Sequence, residues 1–265
     1  AGVAGAVPTI AIETATSGVY QANAYYVMGA GDEVKLLVVD TYGNIPAVDS
    51  VITVTDPSNL NDAWNKYTDV RLDASKISKP ESVNVPAGKT LTLTGTNATN
   101  KLTVTVEKGA TLDVKGGESA ATLDVTVKAG GVMNVPNGKL IGGSDAPLSA
   151  DADVTVKETS NGGWELGATS GTITVNSNTE FGAKDAMNIT GTAKIVGGKT
   201  GVTVKFDTAT TMTAMPYSSF FKNDGNASTT STACSGAGDL QNKTFVWGSY
   251  YTDASNNTAT GWVQQ

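Results

Sequence analysis

Histidine is absent from this 265-residue chain, Arg71 is its single arginine and Cys234 its single cysteine. Without histidine, the side chain that shuttles protons near neutrality and most often ligates metals is missing. One arginine leaves almost no capacity for bidentate clamping of phosphate or carboxylate. One cysteine excludes an intramolecular disulfide and any cysteine-based zinc site, which leaves a small buried thiol or a cross-link between two chains. Charge is also scarce, at 16% of residues, and its balance is acidic, with a formal net charge of −7. A nucleic-acid binder needs a basic footprint to displace counterions, so nucleic acid and anionic membrane surfaces are poor partners for this chain. The longest apolar run, Ala1 to Ile12, is interrupted by Pro8 and falls short of the roughly 20 residues a membrane-spanning helix needs.

What the chain does have is a repeat. Leu102, Val104, Val106, Gly109, Leu112, Val114 and Gly117 recur 21 residues later as Leu123, Val125, Val127, Gly130, Met133, Val135 and Gly138. One step earlier, Val83, Val85, Gly88, Leu91 and Leu93 precede Val104, Val106, Gly109, Leu112 and Val114 by the same interval. Within each copy apolar residues alternate, which is strand periodicity, and a glycine divides the copy into two short strands. One such unit cannot bury its apolar face alone, so successive units must stack. The fold class expected is all-β, with a β-solenoid (β-helix) core of either hand, a small antiparallel N-terminal β unit and a C-terminal β cap.

Four segments follow from this reading. Residues 1–18 form an N-terminal extension whose apolar Val3, Val7, Ile10 and Ile12 suit either a first strand within its own sheet or a strand lent to a neighbouring subunit by β-augmentation. Residues 19–80 hold a small β unit, with strands around Tyr25 and Val27, around Val34, Leu36 and Val38, and around Ile52 and Val54. A short helix follows, capped by Asp56 or Ser58 and packed through Leu60 and Trp64, to close the first end of the solenoid. Trp64 is also a candidate subunit contact. Residues 81–207 are the solenoid, with an insertion at 142–153 and larger residues, Trp164, Phe181 and Phe206, entering wider later coils. Residues 208–265 leave the repeat and end in two strands, Thr244 to Tyr251 and Thr258 to Val263, joined by a polar turn at Asp253 to Asn257. Their aromatics, Trp247, Tyr250, Tyr251 and Trp262, are candidates for end-cap packing or for contact with a subunit or a sugar.

Catalytic equipment is not apparent. Asp113 and Asp124 lie on outward strand positions but are not equivalent in successive copies, and Arg71 has no carboxylate cluster near it in sequence. The chain is expected not to be an enzyme and to need no cofactor. Asp145, Asp151 and Asp153 form the densest acidic run; a solvated loop is the ordinary reading and an oxygen-ligated Ca²⁺ site the alternative, although the run lacks the spacing of an EF-hand or of a calcium-binding β-roll. Acceptor sequons stand at Asn97, Asn188, Asn226, Asn242 and Asn256, each expected in a turn or variable segment from which a glycan could project.

The phrases VPAGKTLTL and EKGATLDV, together with the short neutral polar composition, resemble repetitive β-solenoid portions of microbial surface proteins such as adhesins, surface-layer proteins and extracellular filament subunits. The segment VKLLVVDTYGNIPA, residues 34–47, resembles a strand and turn of bacterial immunoglobulin-like surface modules, although too few strands accompany it for a full sandwich. These resemblances imply an extracellular or cell-surface structural subunit that polymerises with itself, by N-terminal strand exchange in one version. An adhesin or virus tail-fibre module recognising surface carbohydrate is the alternative, and a polysaccharide-cleaving β-helix enzyme the second. The chain opens at Ala1, as a processed exported protein does.

Overall fold

The computed structural model describes residues 9–14, 18–28, 34–39, 52–95, 97, 99–115, 123–135, 141–143, 145–223 and 230–265. Two units divide at Ser50. The first is a three-stranded antiparallel sheet of β1 (Thr9–Thr14), β2 (Gly18–Met28) and β3 (Val34–Val39), ordered β1-β2-β3. β1 pairs with the first half of β2, setting Ile12 opposite Tyr20, and β3 pairs with the second half, setting Leu36 opposite Tyr26. Ile52 and Val54, which sequence groups with this unit, belong elsewhere: β4 (Ile52–Val54) runs parallel to β5 (Asp69–Asp73) in the second unit. The turn expected at residues 40–44 lies outside the described residues.

The second unit is a β-solenoid of about seven turns. Its early coils have two walls. On one lie β6 (Glu81–Val85), β8 (Leu102–Val106) and β10 (Leu123–Val127); facing them are β4, β5, β7 (Thr90–Thr94), β9 (Thr111–Val114) and β11 (Val132–Asn134). The 21-residue interval of the sequence is the hydrogen-bonding register itself. Val83 pairs beside Val104 and Val104 beside Val125, while Leu91, Leu112 and Met133 line up across the facing wall. All six point inward and are buried, and burial of each such side chain contributes about 1.5–3 kcal/mol.

The corner between the walls depends on glycine. Lys89, Ala110 and Gly131 donate their backbone N–H to the carbonyls of Pro86, Glu107 and Lys128, closing three stacked four-residue turns. The third residue of each is Gly88, Gly109 or Gly130, with φ of 74°, 77° and 83°, the type II geometry that glycine adopts without strain. These glycines also bond to one another between coils, Gly88 N–H to Gly109 O and Gly109 N–H to Gly130 O.

The first coil begins before the repeat does. α1 (Leu60–Lys66) separates β4 from β5 and packs on both, and the 3-10 turn before it, Pro57–Asn59, packs on β6. Asp56 Oδ1 accepts from Ser58 N and caps that turn. Leu60 and Trp64 are buried, and Trp64 Nε1 donates to Thr90 O at 3.2 Å. Trp64 therefore packs within its own chain and is not exposed for a subunit contact.

The insertion after β11 reverses the chain. β12 (Ile141–Gly142) is antiparallel to β11, β13 (Leu148–Ala150) follows it, and β14 (Val154–Glu158) is antiparallel to β10. β15 (Trp164–Ala168) is antiparallel to β14 and restores the original direction. Beyond it the coils gain a third wall. β16 (Thr172–Val175), β17 (Thr179–Phe181), β18 (Ala186–Ile189), β19 (Lys194–Gly197), β20 (Thr203–Phe206) and β21 (Thr211–Ala214) wind over three faces, with β17 and β20 on the new one. The register interval grows accordingly, from 21 between Leu166 and Met187 to 22 between Ile173 and Ile195 and 25 between Phe181 and Phe206. The wider interior takes the larger side chains, Phe181 stacking on Phe206 with centroids 5.6 Å apart. β21 pairs with β18, so the stacking continues to Ala214, past the expected end of the repeat.

The C-terminal segment holds β22 (Phe220–Phe221), α2 (Ala237–Leu240), β23 (Lys243–Tyr251) and β24 (Thr258–Gln264). β23 and β24 form the expected hairpin, and β23 extends the third wall by pairing with β20. Cys234 is buried beside β22.

Candidate functional site

The outward acids are engaged in pairs. Asp113 lies 2.6 Å from Lys115 Nζ and Asp124 lies 2.8 Å from Lys101 Nζ. Asp113 stands in register between Thr92 and Asn134, so no second carboxylate flanks it along that row. Arg71 occupies an outward position between Thr53 and Thr92, and its Nε is buried without a hydrogen-bond partner. Among the described residues no three metal-ligating side chains converge.

The acidic run 145–153 pins the reversed segment to its neighbours. Asp151 Oδ1 accepts from Thr172 N at 2.5 Å. Asp153 Oδ1 accepts from Ala129 N at 3.0 Å and its Oδ2 meets Lys128 Nζ at 3.2 Å. The Ala129 hydrogen bond, ahead of the Lys128 contacts, holds the Asp153 carboxyl below the usual carboxylate range. Asp145 is exposed. Two of the three acids thus bind backbone on different coils, which is a structural task the sequence did not reveal.

The sequons separate by environment. Asn97 is 7% exposed, donates to Ala74 O at 3.1 Å and Ile77 O at 2.7 Å, and accepts from the N–H groups of Thr99 and Asn100. Its amide is consumed in a corner and cannot carry a glycan in this fold. Asn188 lies within β18, paired between Gly167 and Ala214, not in a turn. Asn242 and Asn256 are exposed in turns at φ of 57° and 64°. Asn226 lies outside the described residues.

The ends of the stack contrast most. At the C-terminal end Trp262 is 0% exposed and its Nε1 donates to Ile195 O at 3.0 Å. Trp247 packs edge-on against it, with centroids 5.1 Å apart, and its ring lies on Gly197. Both tryptophans therefore seal β19, the last strand of its wall. Tyr250 stacks on Phe221 with centroids 3.6 Å apart, and Tyr250 and Tyr251 are half-buried. Trp262 is thus packed within its own chain and inaccessible to any partner.

At the other end β4 is the last strand of its wall, and among the described residues it has one hydrogen-bonded neighbour, β5. Ile52 is 38% exposed and is the exposed large hydrophobic residue among those described. A groove of about 400 Å³ runs between β4 and α1, lined by Ile52, Val54, Ala63 and Tyr67 with Asp62 and Lys66 exposed at its margin. A second cleft of about 440 Å³ adjoins it, lined by polar groups including Asp56, Asn61 and Glu81. Sequence reasoning placed subunit contacts at Val3, Val7, Ile10 and Ile12. Ile10 and Ile12 lie in β1, paired to β2 of the same chain, while Val3 and Val7 lie outside the described residues. The sequence signal for this end was the lone apolar pair Ile52 and Val54 before a polar helical turn.

Comparison with known protein families, curated proteins and solved structures finds no match to this chain. No helix among the described residues is long and apolar enough to cross a membrane.

Proposed function

We propose that this chain is an extracellular structural subunit that polymerises with itself into a filament, sheath or surface layer. The solenoid supplies a stiff rod, because each coil buries the apolar face of the next and the backbone ladders run continuously along it. The observation that carries the reading is the asymmetry of the ends. At one, Trp247 and Trp262 of the β23–β24 hairpin cover β19, the last strand of its wall. At the other, β4 has a single hydrogen-bonded neighbour among the described residues and carries an exposed isoleucine, and strand edges of this kind are templates for another strand. The resemblance to microbial surface solenoids and the weakly charged, Thr- and Gly-rich composition support an exported setting.

Electron microscopy of the native protein tests this reading. Filaments, sheaths or sheets built from repeating rods are expected. A discrete monomer or trimer that binds defined sugars on a glycan array would overturn it in favour of an adhesin.

A further inference from the structure

We infer that the groove at β4 is the receiving site for residues Val3–Val7 of a second copy of this chain, which add one strand beside Ile52–Val54. The inference rests on the polymerising role above and names the contact by which it occurs.

The receiving side has three properties that together define an acceptor. β4 has one hydrogen-bonded neighbour, β5, among the described residues, and its other row of backbone donors and acceptors has no strand partner among them, the kind of edge to which a further strand adds. Ile52 is exposed on that strand, where burial by a partner would be favourable. The groove toward α1 is lined by Ile52, Val54, Ala63 and Tyr67 with the neutral polar Thr53, Thr55 and Asn59, and by one acid, Asp62, and one base, Lys66. One acid and one base in the lining give no net attraction to a charged peptide, and the otherwise neutral, partly apolar lining favours an uncharged one.

The chain carries such a segment outside the described residues. Ala1–Val7, AGVAGAV, has no charged side chain and nothing larger than valine. Extended, it places Val3, Gly5 and Val7 on one face and Ala4 and Ala6 on the other. Five residues span about 17 Å as a strand, enough to cover three-residue β4 and overlap both its ends. Pro8 follows at once and lacks an N–H, which ends the ladder there.

The test uses two full-length variants. Val3→Asp with Val7→Asp disables the donor segment, and Ile52→Asp disables the acceptor. Each is first checked for an unchanged circular dichroism spectrum and thermal midpoint; Ile52→Ser replaces Ile52→Asp if the latter lowers the midpoint. Neither variant alone is expected to polymerise under conditions where the parent does. Mixed in equal amounts they are expected to form a one-to-one dimer and stop there, since the mixture holds one intact donor and one intact acceptor. A synthetic peptide of residues 1–9 is expected to bind the donor variant and to lose at least tenfold in affinity for the acceptor variant. Polymerisation of either variant alone, or a mixture that stays monomeric, would overturn the strand-donation inference while the polymer reading stands on the parent's behaviour. A parent that never polymerises would overturn both.

Discussion

The Trp247 ring lies directly on Gly197, leaving no room for a methyl group at residue 197. β19 ends there, and the glycine is what allows the cap to lie flat against the last rung of its wall. Gly197→Ala is expected to push the ring off and lower stability by about 1–3 kcal/mol, the usual cost of overpacking. Thermal unfolding with tryptophan fluorescence reads both the loss and the change in ring environment. An unshifted midpoint would show that the ring does not rest where the structure puts it.

The stacked corner glycines allow a cleaner separation of backbone from space. A Cβ built on Gly109 meets nothing within 4 Å, so its φ of 77° is the sole reason for glycine there. Gly109→Ala is expected to cost about 1–2 kcal/mol, and Gly109→Asn less, because asparagine tolerates the left-handed region. Equal losses from the two would argue that something other than φ sets the cost. Denaturant midpoints at constant slope are the measurement.

These glycines also explain why the solenoid was legible. Identical side chains stacked coil on coil leave a periodic trace, and the trace equals the ladder register because parallel strands pair like with like. The reversal at 141–158 left no such trace. Val154 and Val156 alternate inward whichever way the chain runs, so an alternating pattern says which face is buried but nothing of strand direction. The first coil was equally silent, since β4 has three residues, no corner glycine and a helix in place of its second strand. Aromatic side chains beyond Trp164 did announce a wider interior, although not that a third wall produces it. The joining end was sought among the terminal apolar residues, whereas its receiving groove required knowledge of which strand stands last in its wall.

Asn97 should be among the most costly polar positions to change. It bridges two carbonyls and two N–H groups across the corner between β7 and β8. Asn97→Ala takes one of two donors from each of the Ala74 and Ile77 carbonyls, which keep Ile77 N and Asn100 Nδ2, and removes the side-chain acceptor of the Thr99 and Asn100 N–H groups, at about 1–3 kcal/mol. Peptide mapping of glycosylating-host material is expected to find Asn97 bare in folded protein, whereas Asn242 and Asn256 are exposed to modification. A glycan at Asn97 would contradict the buried corner.

At the junction of the two-walled and three-walled parts a small cavity of about 20 Å³ is lined by Val135, Ile141, Leu148, Val156, Trp164, Leu166 and Phe181. Its lining is apolar, so water gains no partners there. Val156→Ile adds one methylene toward it and is expected to stabilise by up to about 1 kcal/mol, or about 2–4 °C in midpoint for a unit of this size. The same change at Val104, stacked between Val83 and Val125, is expected to destabilise through overpacking. If both substitutions moved the midpoint in the same direction, the void would not be where slack in the packing resides.

Acid should loosen the cap and the reversed segment. Asp239 bonds to Lys222 Nζ at 2.9 Å and accepts from Ser235 N at 2.8 Å. Chiefly through the Lys222 contact its carboxyl is pulled down from 3.8 to about 2, and Asp153 is lowered in the same sense by Ala129. A carboxyl with a lowered folded value takes up its proton more readily when unfolded, so its stabilising contribution is complete above the unfolded value. It fades as pH falls from about 4 and is gone below about 2. Thermal midpoints measured from about pH 5 down to about pH 2 should therefore decline. Asp239→Asn should flatten part of that decline, and Asp153→Asn a further part, since each removes a group that binds a proton on unfolding. Protection of the β22 and α2 amides, measured against the intrinsic exchange rate at each pH, should fall over the same window in the parent and depend less on pH in Asp239→Asn. A decline unchanged in both variants would place the acid sensitivity in other carboxylates.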